Sequence, residues 1–145
     1  ARVAEIREEL NQGELWAKTD GAKGRPARLD GADLRPAEGC FRERVLAGFT
    51  AKNLMAIGVD FSLAQLQGAN FDGADLRGAD FTGADLRGAS FKGAKLSHAR
   101  FVNADLGALP LSGGASRAIS FEGASLDGTG LIRKRPVADA DRLEI

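Results

Sequence analysis

The sequence predicts an all-β solenoid with an N-terminal α-helical cap. Three observations predict it. From position 61 every fifth residue is Phe or Leu in strict alternation: Phe61, Leu66, Phe71, Leu76, Phe81, Leu86, Phe91, Leu96, Phe101 and Leu106. Two residues ahead of each, from Ala64 to Ala104, stands alanine. Two residues after the large side chain glycine recurs, at Gly68, Gly73, Gly78, Gly83, Gly88 and Gly93.

A five-residue period fits neither simple element. Five residues carry an α-helix about 140° past a full turn, so no single stripe forms. In a long strand a five-residue step changes face each time. Within one unit, however, the alanine and the large residue sit two apart, which is strand spacing. Each unit therefore reads as a very short extended piece with two side chains inward, followed by a corner that glycine suits. One unit cannot bury its own apolar pair, whereas stacked copies can.

The motif Ala-(Asp/Asn)-(Leu/Phe)-x-x is carried by Ala69-Asn70-Phe71, Ala74-Asp75-Leu76, Ala84-Asp85-Leu86 and Ala104-Asp105-Leu106. It resembles the pentapeptide-repeat family. The resemblance implies a right-handed quadrilateral parallel β-helix with four units per coil. About five coils then result, spaced ~4.8 Å apart. A 20-residue step would stack Phe61, Phe81, Phe101 and Phe121 in one interior column and Leu66, Leu86, Leu106 and Leu126 in the next. Phe71 and Phe91 would continue to Leu111 and Leu131, and Leu76 and Leu96 would end at Ser116.

Three domain segments follow. Residues 1–26 form a helix cap and the loop leading from it. Val3, Ile6 and Leu10 share one helical face opposite Arg7, Glu8 and Glu9, and Gly13 ends the helix. Leu15 and Trp16 join the same lid. Residues 27–131 form the repeat solenoid. Its early units exchange large and small residues, as in Phe49/Ala51 and Leu54/Ala56, which conserves core volume. Two irregular loops interrupt it. One spans 35–46, where Leu34 and Phe41 are seven residues apart; the other spans 112–118, where Gly114 and Ser116 leave the interior empty. Residues 132–145 form a polar C-terminal tail.

Composition narrows the function. The 20 Lys+Arg and 20 Asp+Glu cancel, which argues against a strongly basic nucleic-acid binder. No apolar run reaches the roughly 18 residues of a membrane span. Cys40 stands alone, so an internal disulfide is excluded and the reducing cytoplasm is the default compartment. His98, the one histidine, falls on a repeat corner far from Cys40, which speaks against a catalytic triad or a zinc site. The stretch 88–95 echoes a phosphate loop but lacks its Gly-Lys-Ser/Thr ending. No enzyme activity and no cofactor are expected.

The expected role is a structural scaffold whose partner is another protein, with the chain monomeric or homodimeric and no direct contact to nucleic acid or membrane. The alternative comes from the resemblance: some members of the family imitate B-form DNA and bind DNA gyrase. That needs long acidic columns in place of phosphates. Here Asp60, Asp80, Asp85 and Asp105 make one modest candidate acidic patch. Residues 60–131 carry 8 acidic and 6 basic groups, a net of −2.

Overall fold

In the computed structural model, which describes residues 3–37, 39–133 and 143–144, the quintet is the building block of a stacked coil. The unit around Phe71 shows its logic. The Phe71 N–H donates to Ser90 O on the next coil at 2.7 Å, and the Gly73 N–H donates to Lys92 O at 2.8 Å. In the reverse direction the Ser90 N–H donates to Ala69 O at 2.9 Å. The chain then turns: the Ala74 N–H donates back to Phe71 O at 3.0 Å, closing a four-residue turn. Gly73 has φ of 69° while Asp72 is not left-handed, the signature of a type II turn. Units from Val59 to Ala104 repeat the turn, as in Ala79 N–H to Leu76 O and Ala94 N–H to Phe91 O, each at 3.0 Å. The sheet is therefore a set of single-residue parallel bridges along straight columns, not strands of several residues.

The columns give the register. One runs Arg28, Thr50, Asn70, Ser90, Ser120; the next runs Asp33, Met55, Asp75, Lys95, Ser125. The others run Asp60, Asp80, Arg100 and Val45, Gln65, Asp85, Asp105. The regular step is 20 residues, so one coil passes four units. The first step is 22 residues, and a 3-10 turn at Arg35–Ala37 takes up the two extra positions. The irregular loop expected at 35–46 is thus shorter. Phe41 and Leu46 are buried, and Phe41 packs on Phe61 with ring centroids 5.1 Å apart.

The last step is 30 residues, and here the expected columns need correction. Ser120 bridges Ser90 and Ser125 bridges Lys95. Phe121 therefore lies over Phe91, not Phe101, with centroids 5.1 Å apart and planes 4° from parallel. The extra ten residues leave the wall as a hairpin. β1 (Leu109–Pro110) pairs antiparallel with β2 (Ser116–Arg117) across a tip that includes a 3-10 turn at Ser112–Gly114. The excursion begins earlier than the loop expected at 112–118. Leu111 is not an interior residue; it is exposed at the tip.

Inside the coil, phenylalanines form two stacked ladders. Phe61–Phe81, Phe71–Phe91 and Phe81–Phe101 are within 8° of parallel at 5.1–5.3 Å. Rings of one ladder meet the other edge-on, at 5.8 Å for Phe71–Phe81. Offset stacks and edge contacts are the arrangements the ring quadrupole favours. Leu66, Leu76, Leu86 and Leu96 fill the remaining interior and are fully buried, as is Phe121. Leu106 and Leu126, near the C-terminal end, are only partly covered.

The N-terminal end is closed by α1 (Val3–Lys18). Ile6 and Leu10 are buried on the first coil and Val3 packs partly against it. Gly13 does not stop the helix, which continues to Lys18. It is a contact residue: a Cβ there would stand 2.6 Å from the Ala27 Cβ. The helix also supplies acceptors. On later coils the amides of Thr50 and Gln65 donate to the carbonyls of Ala27 and Arg44 beneath them. Arg28 and Val45 have no coil beneath. Their amides donate instead to Glu9 Oε2 and Glu14 Oε1, each at 3.0 Å. Two carboxylates replace the peptide oxygens of an absent coil.

Of the tail at 132–145, a short antiparallel pairing of β3 (Ile132–Arg133) with β4 (Leu143–Glu144) is described. The rest of that segment lies outside the described residues, as does most of the basic cluster at 133–135.

The 30-residue step makes a direct prediction. Excising residues 107–116 restores a 20-residue step and brings Phe121 over Phe91 by the ordinary path. With Ala118→Gly to suit the new left-handed corner, whose strain in an L-residue is about 1–2 kcal/mol, the shortened chain is expected to melt cooperatively. Its Tm should lie within about 8 °C of the parent. A non-cooperative melt contradicts the register.

Candidate interaction surface

The outward wall is built from the residue between the two inward ones and from the first corner residue. The first has a structural duty. Asp80 Oδ1 accepts the Thr82 N–H at 2.9 Å, and Asn70 Oδ1 accepts the Asp72 N–H at 2.9 Å. Asp33, Asp60, Asp75, Asp85 and Asp105 make the same i to i+2 contact. This is an Asx turn: the carboxylate or amide oxygen satisfies a corner amide that the inter-coil ladder leaves free. Where the unit lacks Asp or Asn, the coil below helps. Asp30 Oδ1 accepts the Lys52 N–H at 2.9 Å, and Asp72 Oδ1 accepts the Lys92 N–H at 3.1 Å.

Several units add a guanidinium two residues beyond the aspartate. Arg77 donates to Asp75 from Nε at 2.8 Å and from Nη2 at 2.7 Å, a forked pair within one unit. Arg35 with Asp33 and Arg87 with Asp85 repeat it. The geometry holds Asp33 at about 2, chiefly through the Arg35 side chain and then its backbone N–H. Asp75 is likewise lowered, with Arg77 as the main cause. For Asp80 partial burial pulls upward, but the Thr82 hydroxyl and N–H, with Arg100 and Arg42 nearby, carry it downward overall.

The candidate acidic patch of Asp60, Asp80, Asp85 and Asp105 is thereby placed. Asp60 bridges Asp80 on one wall and Asp85 bridges Asp105 on the adjoining one. Much of their charge is answered locally. Asp85 is forked to Arg87, whose Nε also lies 3.8 Å from Asp105. Asp80 has Arg100 directly above it in the same column, where Ser120 does not follow. Asp60 accepts from the Ser62 hydroxyl at 2.5 Å, and Arg42 donates to that hydroxyl at 2.7 Å. Asp-x-Arg spacing within single units was the available sequence signal for this neutralisation.

Other singled-out residues sit apart. Cys40 is half-buried beside α1, and Arg7 Nε approaches its Sγ at 3.4 Å. His98 occupies a left-handed corner with φ of 63°, its ring over Gly128. Among the described residues no group of three or more His, Cys, Asp or Glu is arranged to hold a metal ion. No helix among them is long and apolar enough to cross a membrane.

The feature least visible in the sequence is the seat of the hairpin. Leu109 lies on the corners at Gly68 and Gly88, and a Cβ at Gly88 would stand 2.6 Å from the Leu109 Cβ. The returning strand runs alongside the wall column of Asn70, Ser90 and Ser120, leaving a groove of about 350 Å³. The empty interior positions Gly114 and Ser116 mark a loop, but a ten-residue insertion keeps the Phe/Leu alternation in phase, so neither its length nor the change of column showed in the interior pattern.

The aspartate contacts make stability pH-dependent in a defined direction. A carboxylate whose folded pKa is depressed contributes stability above its unfolded pKa and loses it as pH falls through the folded value. Asp33, Asp75 and Asp80 are all depressed. Tm is therefore expected to be flat from neutrality to about pH 5 and to fall from about pH 4 toward pH 2. Asp75→Asn should flatten part of that fall, because the amide keeps the corner contact but not the charge. An unchanged slope in D75N counts against the contribution of the Asp75–Arg77 pair.

Comparison with known proteins agrees with this construction. The family model for pentapeptide repeats matches residues 53–83 and 69–107, with eight copies. No curated relative matches the chain. Among solved structures, it is similar to a pentapeptide repeat protein from the cyanobacterium Cyanothece 51142. The two are 22% identical with a TM-score of 0.53, covering 75% of this chain and 63% of that one. A pentapeptide repeat protein of the Arabidopsis thaliana thylakoid lumen is 25% identical over 79% of this chain and 64% of its own, with a TM-score of 0.40. One from Nostoc Pcc 7120 is 26% identical over 88% of this chain and 74% of its own, with a TM-score of 0.39. The chain spans less than two thirds of the length of the first two. The quintet whose alanine and large residue face inward and whose aspartate ties the corner is the repeat that the pentapeptide model finds between residues 53 and 107.

Proposed function

We propose that the protein is a non-catalytic scaffold, a right-handed quadrilateral β-helix that presents fixed side chains to another protein in the cytoplasm. One observation carries this reading. Much of the regular wall is internally satisfied, its aspartates tied to corner amides and many of its arginines to their own aspartates. The hairpin over residues 107–118 departs from that economy. It leaves the wall, is seated by Leu109, and exposes Leu111 at its tip. An insertion held in place on a rigid support is how a repeat scaffold acquires specificity.

An imitation of DNA is less well supported. A phosphate-like array needs unanswered negative charge at each step. Here Asp75 lies under Lys95 and Asp80 under Arg100 in the same columns. The protein is accordingly expected to leave gyrase supercoiling unchanged at micromolar concentration.

The scaffold reading is tested by affinity capture from the source cell, using the parent chain and the folded variant lacking residues 107–116. A partner retained by the parent and lost from the variant supports it. Capture of the same partner by both places recognition elsewhere, and turnover of a substrate by the purified chain contradicts it.

A further inference from the structure

The groove beside the hairpin differs in charge from the regular walls. Its floor is the column Asn70, Ser90, Ser120, and its sides carry Lys92 and Arg117. Lys92 lacks the partner that Arg77 and Arg87 possess, because its unit has Ser90 where theirs have aspartate. Arg117 stands on the returning strand, with its guanidinium near the Gly68 corner. Neither side chain has an ion-pair partner among the described residues.

The neutral groups are also donors. Asn70 Oδ1 accepts the Asp72 N–H, so the donor that this side chain has left is its Nδ2. Ser120 Oγ accepts the Glu122 N–H at 3.4 Å and keeps its own proton to give. One acid lies on the groove, Asp72, and its Oδ1 already accepts from the Ser90 hydroxyl and from the Lys92 N–H. Two cations and two neutral donors thus face a cleft with a single, partly satisfied carboxylate.

We propose that this groove binds an acidic peptide segment of a partner protein, with a carboxylate held between Lys92 and Arg117. The assignment rests on the scaffold reading and names the chemistry of its partner. Charge complementarity in a concave site selects the occupant, and Arg117 supplies the fork that matches a carboxylate.

The experiment uses a fluorescein-labelled hexaglutamate peptide and fluorescence anisotropy. The parent chain is expected to bind it, and more weakly as NaCl rises from about 50 to about 300 mM. Arg117→Glu and Lys92→Glu should each weaken binding by about tenfold or more. Lys52→Glu, on the same wall but outside the groove, should change it by less than about twofold. Melting curves confirm that each variant is folded. Absence of binding at about 1 mM peptide, equal binding by all variants, or uptake of inorganic phosphate without the peptide overturns the assignment. If excision of 107–116 abolishes partner capture while hexaglutamate is ignored, the scaffold reading stands and this assignment alone falls.

Discussion

The inter-coil peptide ladder is the interaction on which the rest depends. Each quintet is too short to form a strand and has too little apolar surface to fold alone. Stacking at a fixed register links its extended residues to the coils above and below and places alanine over alanine and ring over ring. The corners, the Asx contacts and the interior ladders are all repeated because the register is. Truncating one interior phenylalanine would cost about 3–5 kcal/mol by analogy with other cores. The damage would reach the neighbouring coils, since Phe81 touches Phe61, Phe71, Phe91 and Phe101.

A ladder must end, and its ends expose unpaired amides and carbonyls. The N-terminal solution is economical. Helix α1 covers the first coil with Ile6 and Leu10 and answers two orphaned amides with Glu9 and Glu14. Those glutamates are held in turn: Arg25 lies 2.6 Å from Glu9, and Arg44 lies 3.1 Å from Glu14. The cap is therefore matched to the edge in hydrogen bonding as well as in apolar surface.

Much of this was legible in the sequence because the interior position of a solenoid is a strong constraint. The Phe/Leu alternation located the regular coils, and the seven-residue gap before Phe41 located the first irregularity. Three features escaped for identifiable reasons. The hairpin insertion is ten residues, which equals the period of the alternation, so the phase downstream looked undisturbed while the column changed. Gly13 reads as a stop signal in isolation, but its role is set by Ala27, a contact that no local rule contains. The aspartates read as a solvated acidic surface, whereas the spacing of Asp80 to Thr82 is that of a side chain capping its own corner. The wall surface was harder to read than the core because a surface position can serve the backbone, a neighbour or a partner with the same residue type.

The central claim is the register, and paired cysteines test it most directly. In a background with Cys40→Ala, Ser90→Cys with Ser120→Cys places two thiols in adjacent rungs of one column, within the roughly 4.4–6.8 Å Cα separation that a disulfide needs. Mild oxidation of the folded chain is expected to cross-link that pair and to leave Arg100→Cys with Ser120→Cys unlinked within the monomer. Cross-linking of the second pair in place of the first would show a 20-residue step through the hairpin and contradict the account.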